Sequence, residues 1–317
     1  MDRRDPRAMT AHLPIALTIA GSDSGGGAGI QADLRTFAAL GVYGASAVTA
    51  LTAQNTCGVV SIHVAPPAVV RAQIEAVLED FDVRAIKIGM LASADVVEAV
   101  ALSLLPLREK VSRASATDEG SAPSSALRRD PSSGQASPGH LPPQGGKGRA
   151  PFVVYDPVMV ASSGDPLAGV GFVAAVRARL LPLINCLTPN LAEAAALLGA
   201  PIAKTEREMT EQGRALLALG PSAVLMKGGH LAGDEAVDLL ATAAGVRRFA
   251  APRLESVNLH GTGCTLSSAI AAHIALGADL AESVAAAKDF VRAAIERGRD
   301  VKLGDGPGPL IQISIRG

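Results

Sequence analysis

The sequence predicts an α/β protein with a mainly parallel central sheet covered by helices on both faces. Three observations carry that expectation. Short, continuous apolar runs, such as residues 14–20, 83–88, 152–155 and 223–226, read as strands buried on both sides. Segments with helical apolar spacing alternate with them, as in residues 30–40, 68–79 and 94–107. Glycine-rich turns, residues 21–29 and 261–263, each join a strand or loop to a helix.

The first strand, residues 14–20, breaks into Gly21-Ser22-Asp23-Ser24-Gly25-Gly26-Gly27-Ala28-Gly29, and a helix follows over 30–40. The run from Gly27 to Ala32 fits a loose dinucleotide fingerprint. That fingerprint also needs an acid ending the next strand, to hold the ribose hydroxyls. The next strand, expected over 45–52, ends in Ala53-Gln54-Asn55-Thr56 with no acid, which argues against a nicotinamide cofactor. Residues 58–64 read as a strand that Pro66-Pro67 closes. After the helix over 94–107, residues 108–150 turn rich in Ser, Pro and Gly. Such a segment buries too little apolar surface to offset its ordering entropy, so a disordered insertion is expected there. Gly145-Gly146-Lys147-Gly148 lacks the hydroxyl residue and preceding strand of a phosphate-binding loop.

Strands over 152–155 and 185–188 lead to Asp156 and to Pro189-Asn190, and a helix is expected over 191–198. Carboxyl ends of parallel strands face the ligand crevice, which places Asp156 there. Asn190 and Glu193 lie three apart on one helical face, where they also fit a helix-capping box. Asp156 and Glu193 supply hard oxygen ligands of the kind Mg²⁺ accepts. Lys227 follows the strand over 223–226, at the crevice edge or as a surface lysine with a buried stem. Residues 236–240 and 246–251 read as a hairpin, and 279–299 as a closing helix. Asn258-Leu259-His260-Gly261-Thr262-Gly263-Cys264 precedes a small-residue helix over 267–276. Unpaired N–H groups at such a start, with the positive end of the helix dipole, suit an anion. They also favour a thiolate at Cys264. His260 and His273 need not be catalytic.

With 317 residues, 48% of them hydrophobic, the chain can bury a real core. A formal charge of −1 gives no reason to expect nucleic acid or an anionic membrane. The three cysteines, Cys57, Cys186 and Cys264, are widely spaced without a metal-ligand pattern, which points to a reducing, cytoplasmic setting. Residues 1–12 read as a flexible tail. The apolar run after it is too short for a signal peptide and no run can span a bilayer.

Ordered motifs along the chain resemble the hydroxymethylpyrimidine/phosphomethylpyrimidine kinases of thiamine biosynthesis, members of the ribokinase-like superfamily. They include Ala16 through Leu34, Thr49-Ala50-Leu51-Thr52-Ala53-Gln54-Asn55-Thr56, Lys87-Ile88-Gly89-Met90-Leu91 and Asp156-Pro157-Val158-Met159. Thr188-Pro189-Asn190-Leu191-Ala192-Glu193, Met226-Lys227-Gly228-Gly229-His230 and His260-Gly261-Thr262-Gly263-Cys264 complete the set. The resemblance implies a ribokinase-like three-layer α/β/α fold, one domain over 13–317, with a small β flap beyond Thr49. It implies Mg²⁺·ATP-dependent phosphorylation of 4-amino-5-hydroxymethyl-2-methylpyrimidine, often followed by phosphorylation of the monophosphate. Gly21, Asp33, Gln54 and Met90 would then line the pyrimidine pocket. A solvated first-turn acid is the plainer reading of Asp33, and core packing that of Met90. Asp156 and Glu193 would serve the metal, and Asn190, Lys227 and Thr262 the ATP phosphates. Gly261, Thr262, Gly263 and Cys264 would form the catalytic turn, with Cys264 helping to deprotonate the alcohol. A pyridoxine or pyridoxal kinase on the same fold and a non-catalytic pyrimidine-binding protein are the competing readings. A homodimer is left open.

Overall fold

The computed structural model describes residues 13–118, 150–160, 167, 169–229 and 231–313. The expected tail at 1–12 lies outside these residues, as does most of the expected insertion. Ten strands and eight α-helices are described: β1 (Ile15–Ala20), α1 (Gly29–Ala39), β2 (Tyr43–Val48), β3 (Ala50–Asn55), β4 (Gly58–Val64), α2 (Pro67–Asp80), β5 (Val83–Ile88), α3 (Ala94–Asp118), β6 (Phe152–Tyr155), α4 (Phe172–Ala175), β7 (Cys186–Leu187), α5 (Leu191–Leu198), α6 (Glu206–Leu217), β8 (Ala223–Lys227), β9 (Glu235–Thr242), β10 (Gly245–Pro252), α7 (Thr262–Ala275) and α8 (Leu280–Gly298).

Eight strands form one sheet in the order β10-β9-β8-β7-β6-β5-β1-β2, and β3-β4 form a separate two-stranded flap. From β2 across to β8 every pairing is parallel, while β9 and β10 run antiparallel at the edge. The continuous apolar runs are explained by period-two alternation between two cores. Leu17, Ile19, Ile86, Ile88, Val153, Tyr155, Val224 and Met226 face the core shared with α2, α3, α5 and α6. Ala16, Ala85, Phe152, Val154, Ala223 and Leu225 face α1, α7 and α8. Both faces are apolar because both are covered. Each fully buried Leu, Ile or Phe contributes about 1.5–3 kcal/mol.

Three boundaries differ from expectation. The strand expected over 45–52 is two strands in different sheets, because Thr49 turns the chain from sheet to flap. Its N–H donates to Ala20 O at 3.0 Å and its hydroxyl to Met90 O at 2.6 Å. Helix α3 runs past Leu107 to Asp118, so the expected insertion begins as helix. Helix α7 begins at Thr262, five residues before the small-residue run, which brings Cys264 into its first turn. Helix α6, capped by the Thr205 hydroxyl, is an element the sequence reading passed over.

Candidate active site

A cavity of about 750 Å³ opens at the carboxyl ends of the parallel strands, where the crossovers of an open α/β sheet leave a crevice. Gly21, Gln54, Met90, Asp156, Asn190, Glu193, Lys227, Gly261, Thr262, Gly263 and Cys264 all line it.

At one end, the loop after β1 is held by Asp23. Its carboxylate accepts the N–H groups of Gly25, Gly27 and Ala28 at 2.8, 2.9 and 2.8 Å. The same carboxylate meets His260 Nε2 at 2.9 Å. Burial pushes the Asp23 carboxyl up, but the His260 contact and the backbone donors outweigh it, and it sits below its ordinary 3.8. His260 Nε2 lies 3.4 Å from Gln54 Nε2 on the flap. Ser24 fastens the flap to the loop, donating to Gln54 O at 2.6 Å and accepting Gln54 N–H at 2.7 Å. Met90 stands beside Gly21, whose missing Cβ would lie 3.1 Å from the thioether sulfur. Asp23 and His260 are functional candidates that the sequence reading missed. The signal was present, since each lies inside a motif run whose other members were chosen.

The second glycine turn presses against the first. Gly261 has φ +84°, and a Cβ there would lie 2.0 Å from Gly27 O. Helix α7 starts at this turn without a side-chain cap: the Thr262 N–H donates to Leu259 O at 3.2 Å, and Gly263 and Cys264, next in its first turn, line the cavity. The Thr262 hydroxyl donates back to Leu259 O at 2.6 Å, leaving its oxygen free to accept.

The opposite wall carries the charged set. Lys227 Nζ lies 2.5 Å from Asp156 and 3.8 Å from Glu193. Burial pulls the Lys227 ammonium down, but Asp156 and Glu193 outweigh it and raise it. Burial, opposed by Lys227 and assisted by Asp156, pushes Glu193 up to about 7. Asn190 and Glu193 form the reciprocal capping box of α5, with N–H contacts of 2.9 and 2.7 Å. The cap and the placement of Glu193 at the cavity are therefore one arrangement. Val257, Leu259, Val291 and Ile295 also line the cavity.

Two expectations are corrected. Asp33 does not line the cavity. It is fully buried and accepts from Thr18, Lys87 and Ser268, so neither a pyrimidine contact nor a solvated first-turn acid describes it. Cys264 is not a favoured thiolate. Burial pushes its thiol up to about 11, with Asp33 and Asp156 adding to the shift and Lys87 opposing it. Desolvation outweighs the helix dipole at this position.

Among the described residues no three His, Cys, Asp or Glu side chains form a metal-binding group. The candidate metal ligands are the two carboxylates Asp156 and Glu193. No described helix is long and apolar enough to cross a membrane.

The fold is that of the ribokinase-like class of kinases. A pyridoxal kinase of Bacillus subtilis, solved as an ADP complex, superposes with a TM-score of 0.74 at 31% identity, covering 95% of this chain and 98% of that one. A phosphomethylpyrimidine kinase of Clostridium difficile 630 superposes with a TM-score of 0.67 at 36% identity, covering 89% and 99%. The hydroxymethylpyrimidine/phosphomethylpyrimidine kinase of Escherichia coli K12 is 46% identical over 295 residues, 93% of this chain and 96% of that one. The phosphomethylpyrimidine kinase family profile matches residues 23–112 and 146–311. The chain belongs to the phosphomethylpyrimidine kinase family, and it is a phosphotransferase.

Proposed function

We propose that the protein transfers the γ-phosphoryl group of Mg²⁺·ATP to the hydroxymethyl group of 4-amino-5-hydroxymethyl-2-methylpyrimidine, and then phosphorylates the monophosphate. The observation that carries this is the position of the α7 start. Its turn adjoins both ends of the cavity: a Cβ on Gly263 would lie 3.2 Å from Asp156 and 3.3 Å from Lys227 Nζ, and the neighbouring His260 Nε2 lies 3.4 Å from Gln54 Nε2.

At the first end, Gln54 offers an amide that pairs directionally with an aminopyrimidine edge, and Met90 a polarizable cover for the ring. At the other, Lys227 neutralises phosphate charge, and the first N–H groups of α7 hold the transferring group. Asn190 keeps Glu193 oriented. Asp156 and Glu193 fit Mg²⁺, being two hard oxygen donors already facing one shared cation, the Lys227 ammonium, at 2.5 and 3.8 Å. When bound, the ion supplies further neutralisation of phosphate charge. Positioning and charge stabilisation dominate such transfers. Cys264 accepts the alcohol proton as thiolate, a form that a thiol at about 11 populates in about one molecule in ten thousand at pH 7. Cytoplasmic residence, on the three widely spaced cysteines, and the absence of nucleic-acid partners, on the formal charge of −1, belong to the same proposal.

The test is ATP turnover with the pyrimidine alcohol, in unaltered protein and in Cys264→Ala. Turnover that needs both alcohol and Mg²⁺, and that falls on Cys264→Ala, supports the reading. Pyrimidine binding without ATP turnover would instead make this a binding protein. Undiminished turnover in Cys264→Ala would remove the thiol from the mechanism.

A further inference from the structure

Beneath the cavity floor lies an ion pair that the transfer as described does not use. Asp33 on α1 and Lys87 on β5 are both fully buried. Lys87 Nζ donates to the two Asp33 oxygens at 2.8 and 2.8 Å, Thr18 Oγ1 donates at 2.6 Å and Ser268 Oγ at 2.7 Å. One carboxylate thus joins β1, β5, α1 and α7. A buried pair of this kind gives little net stability over apolar packing, so its placement calls for another explanation.

Two features tie the pair to the site, and the second leads to Cys264. The Lys87 ammonium reaches under the turn that leads to Met90, because a Cβ on Gly89 would lie 2.9 Å from Nζ and 3.1 Å from Ala20 Cβ. Ala20 and Met90 are cavity-lining residues. Ser268 lies one helical turn beyond Cys264 on the same face of α7, so its bond to Asp33 fixes the turn that carries the thiol. The charged groups acting on Cys264 are Lys87 from β5, Asp33 from α1, Asp156 at the end of β6 and Lys227 from β8, with the Gly29 N–H beside it. Lys87 is the charge that most opposes the burial of the thiol.

We propose that Lys87 is a positioning residue for the phosphoryl transfer. Gripped by Asp33, it holds a buried positive charge behind Cys264, while Ser268 ties the same carboxylate to the helix turn bearing the thiol. The proposal rests on the reading of Cys264 as proton acceptor.

The test is Lys87→Met, with folding checked by circular dichroism and melting. Alkylation of Cys264 by iodoacetamide is followed between pH 7 and 9 and assigned by peptide mass spectrometry. Below the thiol's titration the rate follows the thiolate fraction, so losing a pKa unit of assistance slows it about tenfold at each pH. The expected result is that slowing, with kcat for the pyrimidine down by a similar factor and KM for ATP unchanged. A merely structural pair gives the opposite sign, because loosened packing exposes the thiol and speeds alkylation. An unchanged or faster rate overturns the proposal. If Lys87→Met does not fold, Asp33→Asn combined with Lys87→Met removes both charges at once, a replacement that buried pairs often tolerate. Because Asp33 raises the thiol while Lys87 lowers it by more, its alkylation is expected to be slower than in unaltered protein but by less than in Lys87→Met, and a rate at or above that of unaltered protein overturns the proposal. Failure of the unaltered chain to phosphorylate the pyrimidine would defeat the functional reading, and with it the catalytic part of this proposal. The alkylation result judges the placement of Lys87 separately.

Discussion

Replacing Gly261 by Ala tests the contact between the two glycine turns. The residue has φ +84°, and the added Cβ would lie 2.0 Å from Gly27 O and 3.0 Å from its carbonyl carbon. An ordinary C···O approach is about 3.3 Å, so one turn must retreat by more than an ångström. The left-handed backbone costs Ala about 1–2 kcal/mol. The displacement acts on activity, because about 1 Å of misplacement at a reacting centre costs about a hundredfold. Gly199→Ala is the matched control, since Gly199 has φ +66° and nothing within 4 Å of its added Cβ. Both variants are expected to melt lower, Gly261→Ala by more, because only its added Cβ overlaps backbone. Only Gly261→Ala should lose about a hundredfold in kcat/KM in a coupled ATP-consumption assay. Full activity in Gly261→Ala, or an equal loss in both variants, would refute the claim that the turns must touch.

Other outcomes follow from the same geometry. Glu193→Gln keeps a capping-box residue but removes one of the two carboxylates facing Lys227, so the Mg²⁺ needed for half-maximal turnover should rise. An unshifted Mg²⁺ dependence would take Glu193 out of the metal site. Asp23→Asn removes a carboxylate held below its ordinary 3.8. A lowered folded-state pKa contributes stability that is present above 3.8 and is lost as pH falls through the folded value. The variant should therefore melt lower than unaltered protein at pH 7, and the gap should close towards acid pH. It should also raise KM for the pyrimidine. A melting gap that persists unchanged into acid would contradict the role given to the Asp23 charge.

The sheet was legible because β1, β5, β6 and β8 are buried on both faces, which leaves continuous apolar runs in the sequence. The break at Thr49 was not, because β2 and β3 both read as strand and only the carbonyls of Ala20 and Met90, supplied by distant segments, turn the chain there. Asn190 and Glu193 were read as cap or ligand, and the capping box itself sets Glu193 at the cavity. Asp33 was misread because its partners come from other elements, one of them, Ser268, 235 residues away. Helix-start chemistry foresaw the donors at Cys264 but not the burial that pushes its thiol up to about 11. His260 sits next to the chosen glycine turn, yet only the fold brings it to Asp23.

The most direct measurement offers equal amounts of 4-amino-5-hydroxymethyl-2-methylpyrimidine and pyridoxal to the protein with limiting Mg²⁺·ATP. Products are followed over time by mass spectrometry. The account predicts pyrimidine monophosphate first and diphosphate after it, with little pyridoxal phosphate. Predominant pyridoxal phosphate would contradict the assignment of the Gln54–Met90 end of the cavity to a pyrimidine.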